Sequence, residues 1–346
     1  GAANVNAFIG YGDPDFDGNM DEQDLYGFGL DNVDLGLGLF LPLYPVIGLD
    51  TFMSAKVTAD SMSTYGFGDW FDIDVSDITM NLNTNDSWPG GYGPPVIDFQ
   101  KSFESSEGAA DGSFAVPTGG EDVLLDYDGN ERIGVSFANA QISIANFIHL
   151  SGGFAFEMGP THAVTLNTGM PPDASATADL ALAPTKADLS LIDNVTYNDD
   201  FTEIYGLTLG SMTVGASDVD AFVGYGTPDF DSSLDSQDLY GFGLENVDLG
   251  LGLFDPVDSV IGLGSFVSAK VTADSVSTYG FGDWFTIDVN DITMNLNTGD
   301  SWPGGYGPPV IDFQKSFESS EGAADGSFAV PTGGEDVLLD YDGNER

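Results

Sequence analysis

The sequence contains no cysteine among its 346 residues. This absence excludes disulfide bonds, thiolate zinc sites, iron–sulfur clusters and cysteine-attached haem. It fits a secreted bacterial protein as well as a cytosolic one, so it does not by itself decide the compartment.

Basic residues are also scarce. Seven Lys and Arg stand against 56 Asp and Glu, which gives a formal net charge of −49. Binding to nucleic acid requires cationic side chains that neutralise phosphates, so the composition predicts no nucleic-acid partner. A surface of this charge favours cations, basic partners or a salty medium.

The sequence also lacks a long hydrophobic run. The longest apolar stretch, LGLGLFLPLYPVIGL at residues 35–49, is shorter than a bilayer-spanning helix and contains two prolines. Its counterpart at residues 249–263 contains Asp255 and Asp258. We therefore expect no membrane span.

What the sequence does contain is an internal repeat. Residues 1–132 align without gaps with residues 215–346, at an offset of 214 and with 21 differences. Self-similarity at a fixed period is typical of repeat architectures. The sequence therefore predicts one complete β repeat unit at residues 1–214 and the first part of a second, near-identical unit at 215–346. Because the second copy covers only part of a unit, we expect the chain to be a fragment of a longer tandem array.

Each unit has the pattern of an all-β protein, because apolar and polar residues alternate and helix-length periodicity is missing. Within the strands, an inward-facing residue is often followed by two small or polar residues, after which the alternation resumes out of phase. A bend at the polar pair would let both arms of the strand face one core. The motif occurs at residues 30–33, 59–62, 75–78, 137–140, 144–147, 192–195 and 216–219.

Repeated strand–corner–strand units predict an elongated β-solenoid-like repeat array. Tandem β-sandwich domains are the alternative, because their strands would also alternate and bend.

The acidic stretch DPDFDGNMDEQD, which begins at residue 13, has the spacing of a calcium loop. EF-hand-type loops place oxygen ligands at positions 1, 3, 5, 7, 9 and 12, with Gly at position 6. Gly18 takes position 6, and the candidate ligands are Asp13, Asp15, Asp17, Asn19, Asp21 and Asp24. To this extent the segment resembles a dockerin-like or EF-hand-like loop, which implies Ca²⁺ as the ligand.

The second copy of this loop has Thr227 at position 1 and Ser232 at position 6. It keeps four candidate ligands at positions 3, 5, 9 and 12, namely Asp229, Asp231, Asp235 and Asp238. We therefore predict paired Ca²⁺ sites of unequal affinity. The competing interpretation is a solvated acidic turn in a uniformly acidic protein.

Aromatic residues lie among glycines in the stretches YGFGDWF and SWPGGYGPP. Such rings could stack on surface glycans, or they could cap the core and pack on a neighbouring unit. The rings in question are Tyr65, Trp70, Trp88 and Tyr92.

Catalytic motifs are not evident. The two histidines, His149 and His162, belong to no HExxH motif, and no G-x-S-x-G stretch, Walker lysine or dinucleotide fingerprint is present. We therefore expect no enzymatic activity.

The unit as a whole resembles the repeats of very large bacterial extracellular and surface proteins of the adhesin type. The phrases that carry the resemblance are DPDFDGNMDEQD, IHLSGGFAFEMGP and LGSMTVGASDVDAFVG. The resemblance implies a structural or adhesive role at the cell surface or outside the cell, with self-association of identical repeats and stiffening by calcium. A glycan-binding adhesin module, and an acidic halophile protein without specific metal sites, remain as alternative hypotheses.

Overall fold

The computed structural model describes residues 1–16, 24–43, 51–85, 95–103, 112–170, 189–192, 194–230, 238–258, 263–300, 307–317 and 326–344. Within these ranges the chain forms one large β-sheet, two small hairpins and two short α-helices. The all-β prediction is therefore confirmed.

Ten strands build the main path of the sheet. They are β1 (Ala2–Tyr11), β2 (Tyr26–Phe40), β3 (Phe52–Tyr65), β4 (Phe71–Thr84), β7 (Arg132–Ile144), β8 (Ile148–Asn167), β10 (Glu203–Tyr225), β11 (Tyr240–Pro256), β12 (Phe266–Tyr279) and β13 (Asp288–Gly299). Two short strands lie beside this path, with β9 (Thr196–Tyr197) paired to β10 and β14 (Val310–Ile311) paired to β8.

The strands of the main path pair antiparallel in chain order, from β1 through β4 to β7, β8, β10 and on to β13. The two copies use the same register. Val5 faces Val33 in the first copy, and Val219 faces Val247 in the second. Strand β10 contains the boundary between the units, at residues 214 and 215, in its interior. The sheet therefore passes from one unit to the next without a linker.

Six of the ten strands of the main path contain a backbone bend. Six bends contain an Asn or Asp with φ between 50° and 55°, a left-handed conformation that these two residue types tolerate better than most. We call this row of bend residues the polar seam; it consists of Asn4, Asn32, Asp77, Asp218, Asn246 and Asp291.

The bends direct both arms of a strand into one core, as the sequence pattern predicts. Leu30 and Val33 flank the bend in β2, Val75 and Ile78 flank the bend in β4, and all four pack in the same cluster. The motifs at residues 144–147 and 192–195 behave differently, because neither lies within a single strand. Ala145 forms part of a turn that joins β7 to β8 instead of a bend within one strand.

Hydrogen bonds from seam residues to acceptor side chains on neighbouring strands stabilise the polar seam. The backbone N–H of Asn32 donates to Oδ1 of Asn6 at 2.9 Å, and its side-chain amide donates to Oδ2 of Asp60 at 2.8 Å. In the second copy, the N–H of Asn246 donates to Asp220 at 2.9 Å and its amide to Asp274 at 2.9 Å. These side chains satisfy polar groups that a bend removes from the regular ladder.

Each copy carries a small cap on one face of the sheet. The first cap consists of α1 (Phe99–Ser102) and the hairpin of β5 (Phe114–Val116) and β6 (Val123–Leu125). The second consists of α2 (Phe313–Ser316) and the hairpin of β15 (Phe328–Val330) and β16 (Val337–Leu339). Phe99 and Leu125 of the first cap are fully buried.

Glycines in β2 and β11 allow the hairpins to approach the sheet closely. A Cβ atom on Gly36 would lie 2.7 Å from Val123 Cγ1, and one on Gly250 would lie 2.7 Å from Val337 Cγ1. The alternating glycines of the LGLGLF stretch therefore provide the flat surface on which each cap rests. A buried amide adds polar contacts, because Asn83 Nδ2 donates to the carbonyl groups of Ile97 and Asn130, each at 3.1 Å.

The largest buried cluster draws on both repeat units. Val164 and Leu209, from the end of the first unit, pack in it with Phe254 and Phe313 from the second. Hydrogen bonds reinforce this contact, since the backbone N–H of Thr165 donates to Ser316 Oγ at 2.9 Å. The last third of one unit thus completes the core beneath the cap of the next unit.

Candidate functional site

The predicted calcium ligands fall partly outside the described residues. Asp13, Asp15, Asp24, Asp229 and Asp238 are described, and all five are exposed. The other five, Asp17, Asn19, Asp21, Asp231 and Asp235, lie outside the described residues.

The ends of each acidic loop meet at a narrow neck. Strands β1 and β2 pair up to Tyr11 and Tyr26, and a Cβ atom on Gly12 would lie 2.9 Å from the carbonyl oxygen of Asp24. Gly12 has φ +122°, which favours glycine. In the second copy, Gly226 lies equally close to Asp238. The neck therefore brings the two ends of the predicted twelve-residue loop together, with Asp13 and Asp24 beside it.

In the described part of the chain, no group of three or more acidic or histidine side chains is arranged to hold a metal ion. This finding covers only half of the predicted ligands, because the middle of both loops lies outside the described residues. The calcium sites therefore stay a prediction.

The aromatic stretches form a cluster at the end of strands β2 to β4. Trp70 lies on a 3₁₀ turn, with its ring centre 6.1 Å from that of Phe67, which in turn lies 4.4 Å from Tyr26. Tyr65 packs edge-on against Phe8 at 6.2 Å. Trp88 and Tyr92 lie outside the described residues. Trp70 keeps 60% of its surface exposed, and the equivalent Trp284 keeps 76%.

A cleft of about 670 Å³ lies between the two caps, above strands β7, β8 and β10. Phe156 and His162 of β8 belong to its floor, Asp128 lies on the side of the first cap, and Phe328 belongs to the second cap. Arg132 Nε lies 3.6 Å from Glu157 Oε2 within it. Sequence motifs do not reveal this cleft, because its lining comes from segments that are far apart in the chain.

Burial shifts the titration of three groups in the cleft: Glu157, His162 and Asp336, whose pKa is raised by desolvation. Desolvation raises the pKa of Glu157, although the nearby Arg132 opposes the shift. Desolvation also lowers the pKa of His162 to about 4, so this imidazole is neutral at pH 7. The rings of Phe317 and Phe328 each lie 5.3 Å from the imidazole and account for its apolar surroundings.

His162 contacts a serine, but the geometry does not activate that serine as a nucleophile. His162 Nε2 lies 3.4 Å from Ser211 Oγ, whereas Ser211 donates its hydroxyl hydrogen to the carbonyl oxygen of Pro160 at 3.0 Å. A base for nucleophilic catalysis would have to accept that hydrogen itself. The imidazole lies half-buried in the cleft, beside the rings of Phe317 and Phe328.

A second cavity, of about 500 Å³, lies on the polar seam at the boundary of the units. Its lining includes the carboxylates of Asp218, Asp220, Glu245 and Asp274. Desolvation raises the pKa of Asp220, while its hydrogen bond from the Asn246 backbone opposes the shift. Asp220 and Asp274 already accept hydrogen bonds from Asn246, so these two carboxylates contribute to the bend itself.

Comparison with family models, with curated proteins and with solved structures finds no match to this chain. Among the described residues, no helix has both the length and the apolar character needed to cross a bilayer.

Proposed function

We propose that this chain is part of a structural repeat protein that forms an elongated fibre, filament or surface layer. The observation that carries the proposal is the buried cluster shared by both units, in which Val164 and Leu209 pack with Phe254 and Phe313. Units that complete each other's cores stack rigidly and need no separate linker, as in solenoid proteins.

The sheet gives this array a repeat distance. Six strand steps separate β1 from the equivalent part of β10. Adjacent strands lie about 4.8 Å apart, so each added unit extends the sheet by about 29 Å. In this proposal the bent strands act as antiparallel rungs of a solenoid-like array, and the shared core runs along its axis.

Small-angle scattering on chains with increasing numbers of complete units tests the proposal. The longest dimension should increase by the same increment, close to about 29 Å, with every unit. A matched control is a chain in which Leu209→Asp disrupts the shared cluster, because a buried unpaired carboxylate is strongly unfavourable. A longest dimension that increases with the number of units as expected for domains joined by flexible linkers would contradict the fibre.

Calcium is the second part of the proposal. The acidic loops and the net charge of −49 create self-repulsion that divalent cations would relieve. Thermal unfolding in EGTA and then with added Ca²⁺ tests this part. A midpoint that ignores millimolar Ca²⁺ but rises with molar K⁺ would favour the halophile alternative instead.

We place this array at the cell surface or outside the cell, on the strength of the sequence resemblance to extracellular repeat proteins. A glycan-binding adhesin module is the second candidate function. The exposed rings of Trp70 and Trp284, on equivalent turns of the two copies, favour it. Glycan-array binding that disappears in a double Trp70→Ala, Trp284→Ala variant would support this candidate.

A further inference from the structure

Strand β13 forms an edge of the main sheet. Among the described residues it pairs only with β12. It runs for 12 residues, its charged residues are Asp288 and Asp291, and it contains no Lys, Arg or Pro. Proteins usually protect a long edge strand with such residues, because its free N–H and C=O groups can pair with another strand.

The equivalent strand in the first copy has a second partner. Strand β4 pairs with β3 on one side and with β7 on the other, and Ile78 faces Phe137 across the β4–β7 ladder. Over residues 74–84, β4 differs from its counterpart 288–298 at one position only, where Ser76 corresponds to Asn290. In the first copy, β7 is therefore the second partner of a strand that is almost identical in sequence to β13.

Equivalent side chains of the two strands differ in exposure. Val75 in β4 is 3% exposed, whereas the equivalent Val289 in β13 is 49% exposed. Phe137 and Ala140 of β7 pack in the cluster that contains Val75. An added strand of the same sequence would cover Val289 in the same way.

We propose that the free edge of β13 binds a strand with the sequence of Arg132–Ile144, antiparallel and in the register of β4 with β7. The source of this strand is another copy of the same repeat unit. In that register Phe137 of the incoming strand faces Ile292, and Ser136 faces Thr293. This inference rests on the proposed array and specifies the contact by which one unit receives the next.

Disulfide trapping tests the register without interference, since the chain has no cysteine. The probe is a synthetic peptide of residues 132–158, which covers β7 and its hairpin partner in β8. Ile292→Cys in the protein should form a disulfide with a peptide that carries Phe137→Cys. Thr293→Cys should form one with a peptide that carries Ser136→Cys. Facing pairs along an antiparallel ladder alternate between the hydrogen-bonded and the non-hydrogen-bonded type. One of these two consecutive cysteine pairs is therefore of the non-hydrogen-bonded type, whose Cα atoms lie about 4.5 Å apart, a distance that suits a disulfide.

The mismatched control combines Ile292→Cys with a peptide carrying Ile142→Cys, whose partner in the first copy is Ile73. Little trapping is expected from this pair. Hydrogen exchange provides an independent measurement, because the unmodified peptide should protect amides of β13 and leave β4 unchanged. Equal trapping by matched and mismatched pairs, or no protection of β13, would overturn the proposal.

A pair of protein variants completes the test. Ile292→Asp should weaken peptide binding by at least about tenfold, because the added strand would bury an unpaired carboxylate. Asp291→Asn keeps a residue that tolerates φ +55° and should bind the peptide as the parent does. If the peptide does not bind but scattering shows a constant length increment per unit, the edge contact is rejected and the fibre is kept. If the peptide is trapped but the length increment is absent, the fibre is rejected and the edge contact is kept.

Discussion

The two repeat copies allow a matched test of how the sheet is covered. Val75→Ala and Val289→Ala make the same change at equivalent positions, and both variants lose the same intrinsic preference for a strand. Val75 is 3% exposed beneath β7, whereas Val289 is 49% exposed on the edge strand. Loss of two buried methyl groups costs about 1.6 kcal/mol, and the cavity left at Val75 brings the cost to about 2 kcal/mol.

The same change at Val289 should cost about 0.8 kcal/mol, since half of the side chain already contacts water and no closed cavity remains. Native-state hydrogen exchange measures the free energy of opening at each strand, so it reads both sites in one protein. We expect Val75→Ala to lower the opening free energy of β4 by about 1 kcal/mol more than Val289→Ala lowers that of β13. Equal losses would refute the conclusion that β7 covers only the first of these two strands.

Three further predictions concern the bends, the cleft and the loops. Asn32→Ala or Asn246→Ala should each lower the free energy of unfolding by about 1–2 kcal/mol, because alanine is strained at positive φ. The matched Gly variants should lose less stability in urea unfolding. An equal loss from Ala and Gly would contradict the strain argument. The pKa of about 4 for His162 lies below the ordinary 6.5, so the unfolded chain takes up the proton first as pH falls. The stability that neutral His162 contributes is complete above pH 6.5 and is lost as the pH falls towards 4. The melting temperature of the parent should therefore fall more steeply than that of His162→Gln over this pH range. Parallel curves for the two proteins would contradict this prediction. In calorimetric titration, Asp24→Asn should remove the tighter Ca²⁺ phase and Asp238→Asn the weaker one, whereas a parent without any Ca²⁺ phase would end the calcium hypothesis.

The shared core has a consequence for how the chain should be divided. A cut between residues 214 and 215 would pass through the middle of β10. It would also separate Val164 and Leu209 from the second cap that they help to bury. The sequence period of 214 residues is therefore a unit of repetition, while the buried clusters define units of packing that overlap its boundaries.

The polar seam shows why acidic and amide residues recur inside strands of this protein. At Asn32 and Asn246 the same side chain tolerates the left-handed backbone and donates to a carboxylate on the next strand. Part of the large acidic content thus has a local structural role. Much of the remainder lies on the surface, where it favours cations.

Strand content and bends were predictable from the sequence, because both depend on local patterns. Alternation indicates a strand, and the polar pair at Asp31 and Asn32 interrupts the alternation at the place where the chain bends. The motif at residues 144–147 has the same pattern but forms a turn between two strands. Whether a polar pair bends one strand or ends it depends on which strands lie beside it, and this information is not local.

By itself, the sequence determined the repeat, the all-β class and the positions of most bends, since these follow from composition and from spacing within a few residues. The tertiary structure alone decided the antiparallel order of the strands, the cleft around His162 and Glu157, and the core shared between units. Within the described residues it also decided that β4 pairs with β7 on its second side and that β13 pairs only with β12, although their sequences are nearly the same. The physical reason is that burial depends on which neighbour pairs with a strand, and near-identical residues therefore lie in a core in one copy and at an edge in the other.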